Sequence, residues 1–157
     1  MDIDSAISAR YAEYGPDGTL VLVGAGLSGV MSQPLPTAMP QPGGVAAVGT
    51  PVYFFVAVRV TFDRSELSSS HTMQVQITAP SGAVAFATPT APLMLTDVPF
   101  VPPGVPLAMQ FPVSCGFAPP AFGPYTVSVS LNGVVRKQLV VLVVQPPQNY
   151  GSMSTQG

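Results

Sequence analysis

From Val52 to Phe62 the chain alternates without a break. Val52, Phe54, Val56, Val58, Val60 and Phe62 fall on one side, and Tyr53, Phe55, Ala57, Arg59 and Thr61 on the other. A period of two puts every second side chain on one face of a strand, and an opposite face that is half apolar predicts a strand central in its sheet. Met73, Val75, Ile77 and Ala79 alternate strictly with Thr72, Gln74, Gln76 and Thr78, which predicts a strand with one solvated face. The same pattern returns in Tyr125, Val127, Val129 and Leu131 against Thr126, Ser128 and Ser130. Asn132-Gly133 follows, a pair that readily takes the two positive-φ positions of a tight hairpin. Val134 to Val144 is then the returning strand. Its last six residues, Leu139 to Val144, are apolar on both sides, which predicts burial on both faces.

Other segments are less regular. Ile7, Ala9 and Tyr11 alternate with Ser8 and Arg10 and predict a first strand. Gly15-Pro16-Asp17-Gly18 is a turn signal, because Pro fixes φ and Gly accepts positive values; Thr19 to Val23 then completes a hairpin. Residues 31–49 hold four prolines and the pair Gly43-Gly44, and read as a long, partly extended loop. Asp63 to Ser70 reads as a surface connection, and Ala83 to Ala87 as a short strand after the Pro80-Ser81-Gly82 turn. Residues 89–124 contain ten prolines. Proline lacks the amide proton of a sheet ladder, so a strand there must be short or at an edge; Leu107, Met109, Phe111 and Val113 mark the best one. Seven to nine short strands with long Pro-rich loops predict an all-β fold, an antiparallel β-sandwich of immunoglobulin-like or C2-like kind. The expected organisation is one domain over 1–145 and a flexible tail over 146–157.

Charge changes this picture. Five Lys/Arg and seven Asp/Glu amount to 8 % of 157 residues, against about 25 % in an ordinary domain. The cations Arg10, Arg59, Arg64, Arg136 and Lys137 are scattered, so the clustered basic surface that nucleic acid requires is missing. Between Glu66 and Arg136 the sole formal charge is Asp97. With a mean hydropathy of +0.44, such a chain either hides surface in an assembly or stays soluble through Ser, Thr, Gln and Pro. The lone Cys115 permits no intrachain disulfide, and the acidic start Met1-Asp2-Ile3-Asp4 does not resemble a signal peptide. No apolar run has the ~18–20 residues of a spanning helix. The expected location is cytoplasmic.

Candidate chemistry is sparse. Gly24-Ala25-Gly26-Leu27-Ser28-Gly29 is formally a dinucleotide-binding G-x-G-x-x-G after a strand. That role needs a helix opening at the motif and an acid ~20 residues later. Pro34 and Pro36 follow instead, and the next acid is Asp63, so the glycines read as a bulge or tight bend. Cys115 and His71 are the only thiol and imidazole, and neither has a sequence neighbour that would activate it. Cys115 reads as a small buried hydrophobe and His71 as a strand-end residue. Asp2 and Asp4 are too few for a calcium site, and Asp17, Asp63 and Asp97 read as turn residues. Tyr14, Tyr53 and Tyr150 do not form a spaced sugar-binding platform, and Trp is absent. No catalytic, cofactor-binding or metal-binding residue is assigned, and no cofactor is expected.

Ala9-Arg10-Tyr11-Ala12, Asp17-Gly18-Thr19-Leu20 and Gly24, with Phe122-Gly123-Pro124-Tyr125 and Asn132-Gly133 further on, resemble an uncharacterised bacterial family that carries only a domain-of-unknown-function label. Its members show an Ala-Asp-Tyr-Ala-like strand, Asp-Gly-Lys-Leu and a glycine, and end with a Pro-Gly-x-Tyr strand and an x-Asp-Gly hairpin. The chain departs from them at Arg10, where an acid is common, and in its more Pro-rich 31–49 segment. The resemblance implies a cytoplasmic β-sandwich without known catalytic residues. The expected function is therefore non-enzymatic protein–protein association, as a subunit or accessory of a larger assembly. The uncharged strand from Thr72 to Ala79 is the expected edge for self-association. The alternative is a module that holds a small apolar or glycan ligand in its Pro-rich loops.

Overall fold

A computed structural model describes residues 1–17, 19–40, 46–97 and 99–147. Among these, the chain forms thirteen strands: β1 (Asp2–Ala9), β2 (Tyr11–Tyr14), β3 (Leu20–Val23), β4 (Gly29–Met31), β5 (Pro34–Met39), β6 (Ala47–Gly49), β7 (Val52–Phe62), β8 (Thr72–Thr78), β9 (Val84–Ala87), β10 (Ala91–Pro92), β11 (Leu107–Phe117), β12 (Gly123–Leu131) and β13 (Val134–Val144). One 3₁₀ turn, Arg64–Ser68, joins β7 to β8. The all-β expectation is met. The strands exceed the seven to nine expected because several are pieces of two to four residues.

The unbroken alternation of Val52–Phe62 makes β7 the middle of a three-stranded antiparallel sheet, between β1 and β11. In the larger sheet β12 lies between β8 and β13, and β4 adds to β13 in parallel. The inward faces of the two sheets meet in one apolar core. It holds Val52 to Val60 of β7, Val75 and Ile77 of β8, Tyr125 to Leu131 of β12, and Val141 and Val143 of β13. Within it Phe117 meets Phe54 edge-on and Tyr125 at a tilt. Asn132 at φ 52° and Gly133 at φ 77° make the β12–β13 hairpin as the sequence predicts.

Several expectations are corrected. Thr72–Thr78 is not a free edge: β12 pairs with one side of β8, and β9 and β10 share the other. Residues 31–49 are not simply loop, since β5 and β6 pair there; residues 41–45 lie outside the described set. The first strand splits at Arg10, and a register shift between Ile3 and Ser5 turns Ser8, not Ile7, toward the core. Ser8 satisfies its hydroxyl by donating to the Leu27 carbonyl at 2.6 Å. The hairpin of β2 and β3 packs over the outer face of β7, with Tyr11 edge-on to Phe55 at 5.8 Å. That cover explains why the second face of β7 is half apolar. β11 runs eleven residues rather than a few, but it is an edge strand as its Pro112 requires. The expected tail falls mostly on residues 148–157, outside the described set.

Candidate functional site

The glycine motif leads into a strand rather than a helix. Gly24 and Gly26 take φ of 63° and 76°, the bend that a side chain would oppose. The amides of Gly26 and Leu27 both donate to the Ser8 carbonyl, at 2.8 and 3.2 Å. Gly29 then enters β4, and a Cβ there would meet the Leu142 carbonyl oxygen at 3.0 Å. The glycines thus let β4 approach β13, and those two amides are already engaged.

His71 and Cys115 belong to different places. His71 precedes β8, where its Nε2 donates to the Glu66 carbonyl at 3.3 Å and its Nδ1 accepts from the Asn132 amide at 3.2 Å. Both ring nitrogens are thereby used to hold the β12–β13 turn and the 3₁₀ turn beside the start of β8. Cys115 is fully buried on β11, and burial pushes its thiol up to about 12. A thiol held that far from ionisation is a poor nucleophile. The acids have local partners. Asp17 accepts from the amide and hydroxyl of Thr19, which hold its carboxyl below the usual range. Asp63 caps the 3₁₀ turn, Asp4 pairs with Arg59, and Asp97 pairs with Arg64 at 2.8 Å. Asp97 is thus an ion-pair partner rather than only a turn residue. Among the described residues no group of three His, Cys, Asp or Glu could hold a metal ion. Tyr14 and Tyr53 are exposed on separate strands; Tyr150 lies outside the described set.

Two surfaces remain. The first is the outer face of the larger sheet. Registers align Thr78, Thr126 and Val140 across it, then Gln76, Ser128 and Gln138, then Gln74, Ser130 and Val135. Pro124 and Gly29 flank Leu142, and Met31 lies beside Val144. None of these positions is charged, and Val140, Leu142 and Met31 are 58 %, 42 % and 67 % exposed. The expectation that Leu139 to Val144 is buried on both sides is therefore wrong. Val141 and Val143 are buried, but no layer of the described residues covers the other face. Sequence signalled the apolar residues and not their exposure, because alternation reports facing and cannot count layers.

The second surface is a cleft of about 480 Å³ on the open side of the fold, between β11 and the β8–β10 edge. Phe111 and Val113 form one wall, Met73 and Val75 the other, and Leu93 lies along it. The prolines of the 89–124 region signalled a loop here but not the opening it borders.

No helix among the described residues is long and apolar enough to cross a membrane. No protein-family model matches the chain, and no curated protein matches it.

Proposed function

We propose that this chain is a non-enzymatic, immunoglobulin-like β-sandwich that works by protein–protein association, as a subunit or accessory of an assembly, with a second copy of itself as partner. The sandwich reading is supported by strand order. β1-β7-β11 corresponds to A-B-E of the immunoglobulin arrangement and β8-β12-β13 to C-F-G. Tyr125, near the start of the F-like strand, donates its hydroxyl to the carbonyl of Ala121 four residues upstream at 2.6 Å, as a tyrosine corner does.

The observation that carries the functional reading is the part of the larger sheet's outer face from the Gln76–Ser128–Gln138 row to Met31 and Val144, where no charged residue falls; Arg136 and Lys137 of β13 lie at the bulge beyond it. Burying a charge is expensive, whereas hydroxyls, amides and methyl groups desolvate at lower cost. Three strands of seven residues, with the short β4 and β9 beside them, give roughly 450 Å² in projection, the size of a weak, reversible contact rather than an obligate one. Exposed Met31, Val140 and Leu142 supply the apolar part, and Thr, Ser and Gln of β8 and β12 the polar part. Among the described residues His71 and Cys115 are each committed elsewhere, which supports a role without catalysis.

Sedimentation velocity across a hundredfold dilution in the micromolar range tests this. The wild type is expected to show a reversible dimer or higher species. The double variant Val140→Lys/Leu142→Lys is expected to be a folded monomer, since two like charges would face their copies across a dry contact. A wild type that is strictly monomeric throughout, or a double variant that associates equally well, overturns the reading.

A further inference from the structure

The cleft beside β11 is separate from the outer face, and its chemistry points to a narrower class of occupant than its size. Among the described residues its walls carry no charged side chain. Several of the polar groups that border it are engaged with one another. The Val75 amide donates to Thr88 Oγ1 at 3.0 Å, the Thr88 amide donates to the Val75 carbonyl at 2.9 Å, and the Thr88 carbonyl accepts from Gln74 Nε2 at 3.1 Å. The Leu93 amide donates to the His71 carbonyl at 2.8 Å. Pro89, Pro92 and Pro112, which also line the cleft, have no N–H to offer. A sugar placed here would strand its hydroxyls without partners, at a cost for each. An added peptide strand would meet Pro112 in the middle of the β11 edge, where a ladder donor is needed.

We infer that the cleft is a binding site for a neutral, apolar small molecule, of roughly 15 non-hydrogen atoms by its volume. Phe111 supplies an aromatic wall, Met73 a polarisable thioether, and Val75, Val113 and Leu93 aliphatic contact. The site does not depend on the association reading, because none of these side chains belongs to the outer face of β13.

The test uses the full chain and the neutral dye N-phenyl-1-naphthylamine, followed by fluorescence. Saturable binding at one site per chain is expected, with a midpoint of about 1–100 μM. Ala91→Phe, on exposed β10 at the cleft wall, should weaken it at least tenfold by filling the space. Met94→Asp, which puts a charge at the mouth from a side chain that is already exposed, should weaken it severalfold and serves if Ala91→Phe does not fold. Val140→Lys/Leu142→Lys should leave it unchanged, whatever that pair does to association. The inference fails if the wild type does not saturate, if neither cleft variant weakens binding, or if the β13 pair abolishes it. Saturable binding of methyl glucoside at the same site would overturn the apolar class.

Discussion

Val140 and Val141 are neighbours in sequence and identical in chemistry, yet Val141 is 1 % exposed and Val140 58 %. Replacing each in turn by alanine isolates the effect of facing. At Val141 the change removes two methyl-sized groups from the core, about 1.6 kcal/mol of transfer free energy at ~0.8 kcal/mol each. The space left, roughly 50 Å³ at ~24 cal/mol per Å³, adds about 1 kcal/mol. The expected loss is therefore about 2–3 kcal/mol. At Val140 less than half of the side chain is covered, and water fills the space, so the transfer loss is about 0.7 kcal/mol with no cavity. Loss of the β-branch adds a few tenths. The two variants should thus differ by about 2 kcal/mol, or roughly 4–8 °C in melting temperature for a chain of this length. Urea melts followed by far-UV circular dichroism and tyrosine emission give the comparison, since the chain has no tryptophan. They are run below the concentration at which association begins. Equal destabilisation would refute the facing of β13, and with it the exposed apolar surface on which the proposed association rests.

Other outcomes follow from single contacts. Tyr125→Phe removes the hydroxyl that bonds Ala121 and should cost about 1–2 kcal/mol in the same melts with the fold retained, whereas no loss would contradict the corner. Cys115 should be inert to a disulfide reagent at pH 8 in the native chain and react at once in denaturant; fast native labelling would contradict its burial. The amino terminus and the Asp63 amide donate to Glu66 and lower its carboxyl. A carboxylate lowered in the folded state stabilises above its unfolded pKa, and that contribution disappears as pH falls through the folded value. Glu66→Gln should therefore reduce stability at neutral pH and flatten its decline in acid; an unchanged acid limb would refute the contact.

Regular alternation made β7, β8, β12 and β13 legible, and Asn132-Gly133 fixed their one tight hairpin. What stayed hidden depends on neighbours distant in sequence. The bulge near Ile3 shifts the inward side of β1 onto Ser8, whose hydroxyl is satisfied only because the Leu27 carbonyl arrives from the glycine bend. The second apolar face of β7 and that of β13 look alike in sequence. One is covered by the β2–β3 hairpin and the other has no cover among the described residues, a difference of tertiary layering. Low overall charge foretold an unusual surface, but the uncharged edge proposed at β8 is paired on both sides. The bare surface is the face of that sheet. The cleft was the least legible, because it consists of space left between β11 and loop residues whose prolines merely forbade regular ladders.

The parallel pairing of β4 with β13 also has a bearing on biosynthesis. Gly29 meets Leu142 and Met31 meets Val144, so the β4 ladder cannot form until more than a hundred further residues exist. At ~5–20 residues per second, a ribosome needs roughly 6–20 s to supply them. One edge of β7 likewise waits for β11, and one edge of β8 for β12. Throughout that interval the nascent chain displays long apolar strands with few charges to keep them apart. Its vulnerable period is therefore its own synthesis, when a chaperone that shields β7 and β8 would do more for its yield than any gain in the stability of the finished fold.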